Sequence, residues 1–187
     1  SRLDALKSSA DLVECEPEVF QQPSTARAEQ VTAQSLGKLL AAPSCLPPIL
    51  KDKAVDWAQG KAGFGFAAEQ AEGLKTALSS KVSILTGGPG TGKTTILQAL
   101  VAILKAKKVR VQLTAPTGRA SRRMAETTSH FSQTVHRLLQ FDPSAGGFTA
   151  NENKPLSCDF VVMDEASMLD VRSAAALVRA IAAAAPP

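Results

Sequence analysis

The chain has few of the residues on which disulfide-bonded, zinc-binding and triad-based proteins depend. Its 187 residues contain three cysteines, two histidines, one tryptophan and no tyrosine. Cys15, Cys45 and Cys158 are odd in number and widely spaced, so they match neither a disulfide framework nor a zinc pattern. His130 and His136 form no recognisable Ser-His-Asp or Cys-His arrangement. These absences exclude a disulfide scaffold, a zinc domain and a triad hydrolase from the leading interpretations.

Long apolar runs and a signal-like first segment are missing as well. No apolar stretch is long enough to span a bilayer. The chain begins at Ser1 without the pattern of a signal peptide. We therefore expect a cytoplasmic, monomeric protein without a membrane partner, cut from something longer. A length of 187 residues with 44% hydrophobic content fits one sizeable domain plus a small extra piece.

The net charge of +4 is unevenly distributed. Residues 100–137 carry eight basic side chains against Glu126 alone, whereas residues 138–170 carry six acids against Lys154. The basic side chains are Lys105, Lys107, Lys108, Arg110, Arg119, Arg122, Arg123 and Arg137. A basic block suits a polyanionic partner such as nucleic acid, although a solvated helix face would look the same.

Residues 1–62 differ in composition from the rest. They contain five prolines and lack strand-like runs, and their apolar spacing predicts helices over 26–42 and about 51–60. Gly60, Gly63 and Gly65 indicate a boundary. We predict two domains: a helical lead-in, or the tail of a preceding domain, at 1–62 and a larger second domain at 63–187.

From residue 63 onward, helix and strand patterns alternate. Helices are predicted over 67–78, 94–107, 118–126, 134–141 and 170–183, strands over 82–86, 109–115 and 160–163, and a turn-rich loop over 142–147. Such alternation favours an α/β fold in which helices cover both faces of a parallel sheet.

The most informative motif is Gly87-x-x-x-x-Gly92-Lys93-Thr94, which follows an apolar run and precedes an amphipathic helix. That context is typical of a P-loop, in which glycines let backbone N–H groups surround a polyphosphate at a helix N-terminus. The predicted phosphate-binding residues are Gly87, Gly88, Pro89, Gly90, Thr91, Gly92, Lys93, Thr94 and Thr95. Lys93 would reach the β- and γ-phosphates, and the hydroxyl of Thr94 would hold Mg²⁺. The chain is therefore predicted to bind a nucleoside triphosphate.

A second motif, Val161-Val-Met-Asp164-Glu165, is a buried strand that ends in two carboxylates. At the carboxyl edge of the sheet, Asp164 fits a Mg²⁺ ligand and Glu165 fits the base that activates water. Two adjacent acids favour hydrolysis of ATP over nucleotide binding alone.

Three further segments have weaker signals. Gln70 has an amide that could read the adenine edge, or it could be a surface glutamine without a role. Thr114-Ala-Pro-Thr-Gly-Arg119 could be a phosphate cradle or a plain turn from strand to helix. Thr134 predicts a helix N-cap, and His136 could contact a phosphate or simply pack.

In this order, the motifs resemble those of the RecD family of superfamily 1 DNA helicases, in the branch that moves 5′→3′. The matching segments are Leu85–Thr95, Ala115–Ala120, Thr134–Leu139 and Val162–Asp170. The connection formed by Phe141–Phe148 and Asn151–Leu156 resembles the stand-alone RecD-like helicases more than the RecD subunit of an exonuclease complex.

The resemblance implies a RecA-like P-loop lobe that uses ATP and Mg²⁺ in DNA repair and recombination. Gln70 would then read adenine, with Lys93, Asp164 and Glu165 catalytic and Thr94 and Asp164 at the metal. Single-stranded DNA, or a duplex with a 5′ overhang, would lie against DNA-binding residues. These are Pro116, Thr117, Gly118, Arg119, Thr134 and His136.

The family's second RecA-like lobe, which completes the ATP site, is expected beyond Pro187. We therefore expect this chain to bind nucleotide weakly, to hydrolyse it poorly and not to unwind DNA. Two alternatives remain: the RecD-like motor of a conjugative relaxase–helicase, and a P-loop module that binds DNA or protein without hydrolysis.

Overall fold

The computed structural model describes residues 6–7, 9–44 and 46–184, so the predictions about Ser1, Cys45 and Pro187 lie outside the described residues. The strands are β1 (Val13–Glu16), β2 (Val19–Gln21), β3 (Val111–Ala115), β4 (Ser132–Thr134), β5 (Phe141–Asp142), β6 (Gly147–Phe148) and β7 (Phe160–Met163). The helices are α1 (Pro23–Ala41), α2 (Lys51–Ala62), α3 (Ala68–Ser79), α4 (Lys93–Ala106), α5 (Gly118–Thr128), α6 (Val135–Leu138) and α7 (Val171–Ala182). A single 3₁₀ turn spans Ala166–Met168.

The centre of the fold is a parallel sheet in the order β4-β3-β7. β3 pairs with β7 from Val111 opposite Phe160 to Thr114 opposite Met163. On its other side, β3 pairs with β4, with Ala115 opposite Thr134. All three strands therefore end at one carboxyl edge, which confirms the predicted α/β fold with a parallel sheet.

Helices cover both faces of this sheet because successive strand side chains point to opposite sides. Val162 packs with Leu113 of β3, Val101 of α4 and Met124 of α5. The next residue, Met163, packs instead against the cluster that α6 and α7 form, which includes Leu177. The apolar alternation in β7 thus places a separate core on each face.

The predicted strand at 82–86 is wrong. This segment is irregular and forms no backbone hydrogen bond with another described residue. The side chain of Ile84 is 86% exposed. Leu85 lies against α3, where a Cβ added at Gly73 would be 3.2 Å from its Cδ1. An apolar run becomes a strand only when a neighbouring strand completes its hydrogen bonds, and none pairs with this run in the described part of the chain.

The N-terminal region also departs from the prediction of a purely helical lead-in. β1 and β2 form an antiparallel hairpin, with Val13 opposite Gln21. β1 and β2 have only four and three residues, too few for their alternation to stand out in the sequence. The predicted helices are confirmed as α1 and α2.

The helices of this region pack against the rest of the chain. α1 lies along α7, where a guanidinium nitrogen of Arg172 donates to the Ser24 hydroxyl at 2.8 Å. Val55 and Ala58 of α2 are buried with Leu74 of α3. The boundary between residues 62 and 63 stays a prediction, and residues before it contribute to the same core.

The segment after β3 contains two strand features that were not predicted. β4 has three residues, too few for a visible alternation. The helix predicted over 134–141 ends at Leu138, because Gln140 has a φ of 54° and Phe141 begins β5. The predicted loop 142–147 is the connection of a β5–β6 hairpin, with Phe141 opposite Phe148. The other predicted elements are confirmed, with ends displaced by one or two residues.

Candidate nucleotide site and nucleic-acid interface

The P-loop has a backbone that requires glycine at several positions. Gly90 and Gly92 have φ angles of 77° and 81°, in the left-handed region that strains other residues. A Cβ at Gly87 would lie 2.7 Å from Oγ1 of Thr91. Residues 82–91 are almost entirely exposed. The loop thus fits a polyphosphate because few side chains obstruct its backbone N–H groups.

Lys93 opens α4, and its side chain folds back over this loop. Its Nζ donates to the carbonyl oxygens of Gly87 and Gly88 at 2.5 and 2.7 Å. The hydroxyl of Thr91 donates to the same Gly88 carbonyl at 2.9 Å. Thr94 is exposed beside it and Thr95 is half-buried. The ammonium is therefore held at the loop by neutral acceptors, which are weaker partners than phosphate oxygens.

Gln70 contacts the P-loop directly. Its Oε1 accepts from the Ala67 N–H at 3.0 Å, which caps the first turn of α3. Its Nε2 donates to the carbonyl of Thr91 at 3.1 Å. A Cβ at Gly92 would meet this Nε2, so an alanine there would also require the flexible Gln70 side chain to move. Gln70 thus supports the loop; its role with adenine stays a prediction.

The start of α4 and the end of β7 lie at the same edge of the sheet. α4 ends at Ala106, and a connection of four residues leads to β3 at Val111, so α4 runs antiparallel to the strand on which it packs. The N-terminus of α4, with Lys93, therefore points toward the carboxyl edge. β7 is parallel to β3 and ends at this edge. The fold thus brings the P-loop helix and the two acids to one side.

Asp164 and Glu165 follow β7 in a sharp turn. The N–H of Asp164 donates to the Thr114 carbonyl at 3.0 Å, which extends the ladder by one residue. The Oδ1 of Asp164 accepts from the Glu165 N–H at 2.9 Å. Glu165 has a φ of 53°, a conformation that is uncommon outside glycine and that clusters at functional sites. Its side chain is exposed at the carboxyl edge.

The segment Pro116–Arg119 leaves β3 at this same edge. Thr117 is the N-cap of α5, and its Oγ1 accepts from the Ala120 N–H at 3.2 Å. Pro116 is half-buried, whereas Gly118 and Arg119 are exposed. The segment is therefore a turn from strand to helix with an exposed guanidinium, and its role as a phosphate cradle stays a prediction.

The segment after β4 lies directly beside it. Thr134 is the N-cap of α6 and accepts from the Arg137 N–H at 3.3 Å, which confirms the predicted cap. His136 is exposed and lies edge-to-face with Phe141 and Phe148, at centroid distances of 5.6 and 5.5 Å. Sequence reasoning missed these phenylalanines, although they flank the turn 142–147 symmetrically.

The basic block divides between the two edges of the sheet. Lys105, Lys107, Lys108 and Arg110 lie around the connection from α4 to β3, at the amino edge. Arg110 is paired with Asp159 there, with a nitrogen–oxygen distance of 2.6 Å. The other arginines are on α5 and α6, which leave the carboxyl edge. They are Arg119, Arg122, Arg123 and Arg137, all exposed. Only this second group lies with the predicted functional residues.

Other candidate chemistry is absent from the described residues. They contain no group of three or more His, Cys, Asp or Glu side chains arranged for a metal ion. None of their helices combines the length and apolar character needed to cross a membrane. Burial raises the pKa of the Cys158 thiol to about 11, so this cysteine is a poor nucleophile.

Comparison with known proteins assigns the family. The AAA domain family matches residues 70–186. The ATP-dependent RecD2 DNA helicase of Deinococcus radiodurans is 39% identical over 166 residues, which cover 88% of this chain and 22% of that protein. The RecBCD enzyme subunit RecD of Haemophilus influenzae is 34% identical over 132 residues, covering 58% and 21%. The ATP-dependent DNA helicase PIF1 of Trypanosoma brucei brucei is 36% identical over 101 residues, covering 54% and 10%.

The chain therefore spans about a fifth or less of the length of these relatives. The matched region contains the P-loop, the acids after β7 and both segments at the carboxyl edge. The order of these motifs and the match to the family agree with each other. The chain belongs to the AAA domain family and is RecD-like.

Proposed function

We propose that this chain is the nucleotide-binding lobe of an ATP-dependent DNA helicase that moves 5′→3′ on single-stranded DNA. The observation that carries the proposal is the P-loop, whose glycine backbone and Lys93 suit a triphosphate, at the sheet edge that also holds Asp164 and Glu165. The RecD-like relatives support DNA as the substrate and a motor as the function. The direction of movement rests on the resemblance alone.

The residues have separate roles in this proposal. Lys93 would exchange its carbonyl acceptors for phosphate oxygens, which attract an ammonium group more strongly. Thr94 and Asp164 would hold Mg²⁺, consistent with its usual binding through one or two protein ligands plus substrate phosphates. When bound, Mg²⁺ would neutralise negative charge on the phosphates. Glu165 would orient and deprotonate the attacking water, and Gln70 would exchange its Thr91 contact for the adenine edge.

DNA would lie along the carboxyl edge, over the starts of α5 and α6. Thr117 and Thr134 each use the side-chain oxygen to cap a helix, so their hydroxyl hydrogens can still donate to a phosphate. Arg119 is exposed next to Thr117 and supplies positive charge. Contacts of this kind carry little sequence information, which suits a protein that moves along DNA.

Nucleotide binding tests the first step. We expect a fluorescent ATP analogue to bind the chain weakly in Mg²⁺, Lys93→Ala to abolish this binding, and Glu165→Gln to preserve it. In a single-turnover experiment, hydrolysis should be slow for the chain and undetectable for Glu165→Gln. Circular dichroism of each variant controls for folding.

Two results would contradict the proposal. Equal binding by Lys93→Ala and the unaltered chain would mean that the loop does not hold the triphosphate. Residual hydrolysis that Glu165→Gln leaves unchanged would favour a module that binds without catalysis.

The expectation that a second lobe is needed has its own test. Fast DNA-stimulated turnover by the chain alone, lost in Lys93→Ala, would refute it.

A further inference from the structure

Three rings form a compact group at the carboxyl edge, which we call the aromatic cluster: His136, Phe141 and Phe148. Phe141 and Phe148 are directly opposite each other on the β5–β6 hairpin, with ring centroids 5.3 Å apart. His136 of α6 is within 5.6 Å of both, and all three pairs are edge-to-face. Neither phenylalanine belongs to a motif with a predicted role.

The members of the aromatic cluster differ in burial: Phe148 supports the cluster from the core, whereas Phe141 is exposed to solvent. Phe148 packs against the core cluster of α6 and α7, so it anchors the hairpin. Phe141 is 43% exposed although it has a large apolar ring. In edge-to-face packing one ring presents its edge, so the contacts do not cover both faces of every ring. Phe141 therefore offers apolar ring surface to solvent.

The hairpin holds this ring in place. The Oδ1 of Asp142 accepts from the N–H and hydroxyl of Ser144, at 2.8 and 2.6 Å. These hydrogen bonds lower the pKa of Asp142 because they stabilise its ionised carboxylate. The turn that follows Phe141 is thus ordered by its own side chains, and a partner of Phe141 meets a surface that is already organised.

The charge around the aromatic cluster selects the kind of partner. Arg137 follows His136, and Arg119, Arg122 and Arg123 are on the helix that leaves the adjacent strand. Among the described residues, none of these four guanidinium groups forms an ion pair or a side-chain hydrogen bond. An aromatic surface beside free arginines matches a polymer that alternates flat apolar rings with anionic groups.

We propose that the aromatic cluster is a stacking platform for a base of single-stranded nucleic acid, with Phe141 as the contact surface. This inference rests on the proposed function and adds to it: Arg119 and Arg137 bind the phosphates, whereas Phe141 binds a base. Every base has a π-face, so such a contact is tolerant of sequence. Phe148 and His136 position the Phe141 ring through their edge-to-face contacts with it.

The test compares a normal oligonucleotide with an abasic one. Both strands carry the same phosphates, so they differ only in the bases. Binding of a labelled thymidine strand of about 12 nucleotides is measured by fluorescence anisotropy for the full chain and for Phe141→Leu. We expect the substitution to weaken binding of the normal strand by at least about fivefold and to leave binding of the abasic strand unchanged. Phe141→Tyr, which keeps an aromatic face, should bind the normal strand like the unaltered chain.

A matched control is available at the opposite edge of the central sheet. Phe131 is 70% exposed and precedes β4, so it lies at the opposite end of that strand from Thr134. Phe131→Leu should leave binding of both oligonucleotides unchanged. Arg137→Gln should instead weaken the normal and the abasic strand alike and reduce the salt dependence by about one counterion.

The possible results separate this inference from the proposed function. If the unaltered chain binds neither oligonucleotide, the assignment of DNA to this edge fails and the platform fails with it. If the chain binds and Phe141→Leu binds the normal strand equally well, only the platform is refuted. Equal loss on both strands would also refute it, because the ring would then act on folding or on phosphate contacts. Unchanged thermal unfolding of Phe141→Leu excludes a folding defect.

Discussion

The substitution Thr114→Val should stabilise this protein, although it removes a polar group from the middle of the sheet. Thr114 is fully buried in the central strand β3, and its backbone is paired with β4 and β7. Its Oγ1 has no hydrogen-bond partner. A buried hydroxyl that loses its hydrogen bonds to water without replacement costs about 1–3 kcal/mol. Valine has nearly the same shape and lacks this group, so it should recover part of that cost.

The size of the effect follows from the position of the side chain. Thr114 is opposite Met163, so its side chain lies on the face that α6 and α7 cover. Thr114→Val exchanges a hydroxyl for a methyl of similar volume there, and we expect a gain of about 1 kcal/mol. For a chain of this length, this corresponds to a rise of about 2–4 °C in Tm.

Two further variants separate the hydroxyl from the methyl group. Thr114→Ser keeps the unpartnered hydroxyl and loses a buried methyl, so it should be destabilised by about 1 kcal/mol. Thr114→Ala loses both groups, and the opposing effects should nearly cancel. We therefore expect the Thr114→Val variant to be the most stable, the unaltered protein and Thr114→Ala to be about equal, and Thr114→Ser to be the least stable.

Urea unfolding measures this series, followed by circular dichroism and by the fluorescence of Trp57, the single tryptophan. Coincident transitions would justify a two-state free energy. A Val variant less stable than the unaltered protein by about 1 kcal/mol would refute the reasoning, because the hydroxyl would then have a partner in solution. Equal slopes with respect to urea across the series would show that the substitutions alter the folded state alone.

Three other predictions concern individual contacts. The Arg110 guanidinium holds the pKa of Asp159 below its ordinary value, so the pair stabilises the fold above about pH 4 and loses this effect as the pH falls through the lower, folded-state pKa. Asp159→Asn should therefore lower the urea midpoint at pH 7, and its difference from the unaltered protein should vanish at the acid end of a pH series. Asp170 caps α7 by accepting two N–H groups at 3.0 Å, and Asp170→Ala should cost about 1 kcal/mol in urea unfolding, with Asp170→Asn close to neutral. Gly92→Ala should abolish binding of the ATP analogue, and adding Gln70→Ala should restore only part of the lost Tm, since the contact with the Gln70 side chain disappears while the left-handed φ remains.

The sequence was sufficient where a local pattern and its chemistry coincide. The P-loop glycines were predictable because their spacing before Lys93 allows few other uses, and the structure places two of them at positive φ. Asp170 was predictable as a cap because it precedes an apolar helix and accepts its first N–H groups. Phe160–Met163 was predictable as a buried strand from a continuous apolar run.

Prediction failed where a residue depends on distant partners. Residues 82–86 have the composition of a strand, but no strand pairs with them in the described part of the chain. The contact of Gln70 with Thr91 joins positions 21 residues apart, which no periodicity reveals. β4 has only three residues, and it became recognisable through its pairing with Leu113–Ala115.

The prediction of nucleotide chemistry needed no tertiary information, because the P-loop and the two acids are short motifs whose residue types and spacing indicate it. Which other groups share that edge depends on the fold. Parallel pairing of β3 with β4 sets Thr134 opposite Ala115, two residues before Thr117, and the β5–β6 hairpin then places Phe141 against His136. The fold also divides the basic residues of 100–137 between the two edges of the sheet, since α4 and β3 run in opposite directions. Such proximity depends on strand order and direction, which are set by packing across the whole sheet.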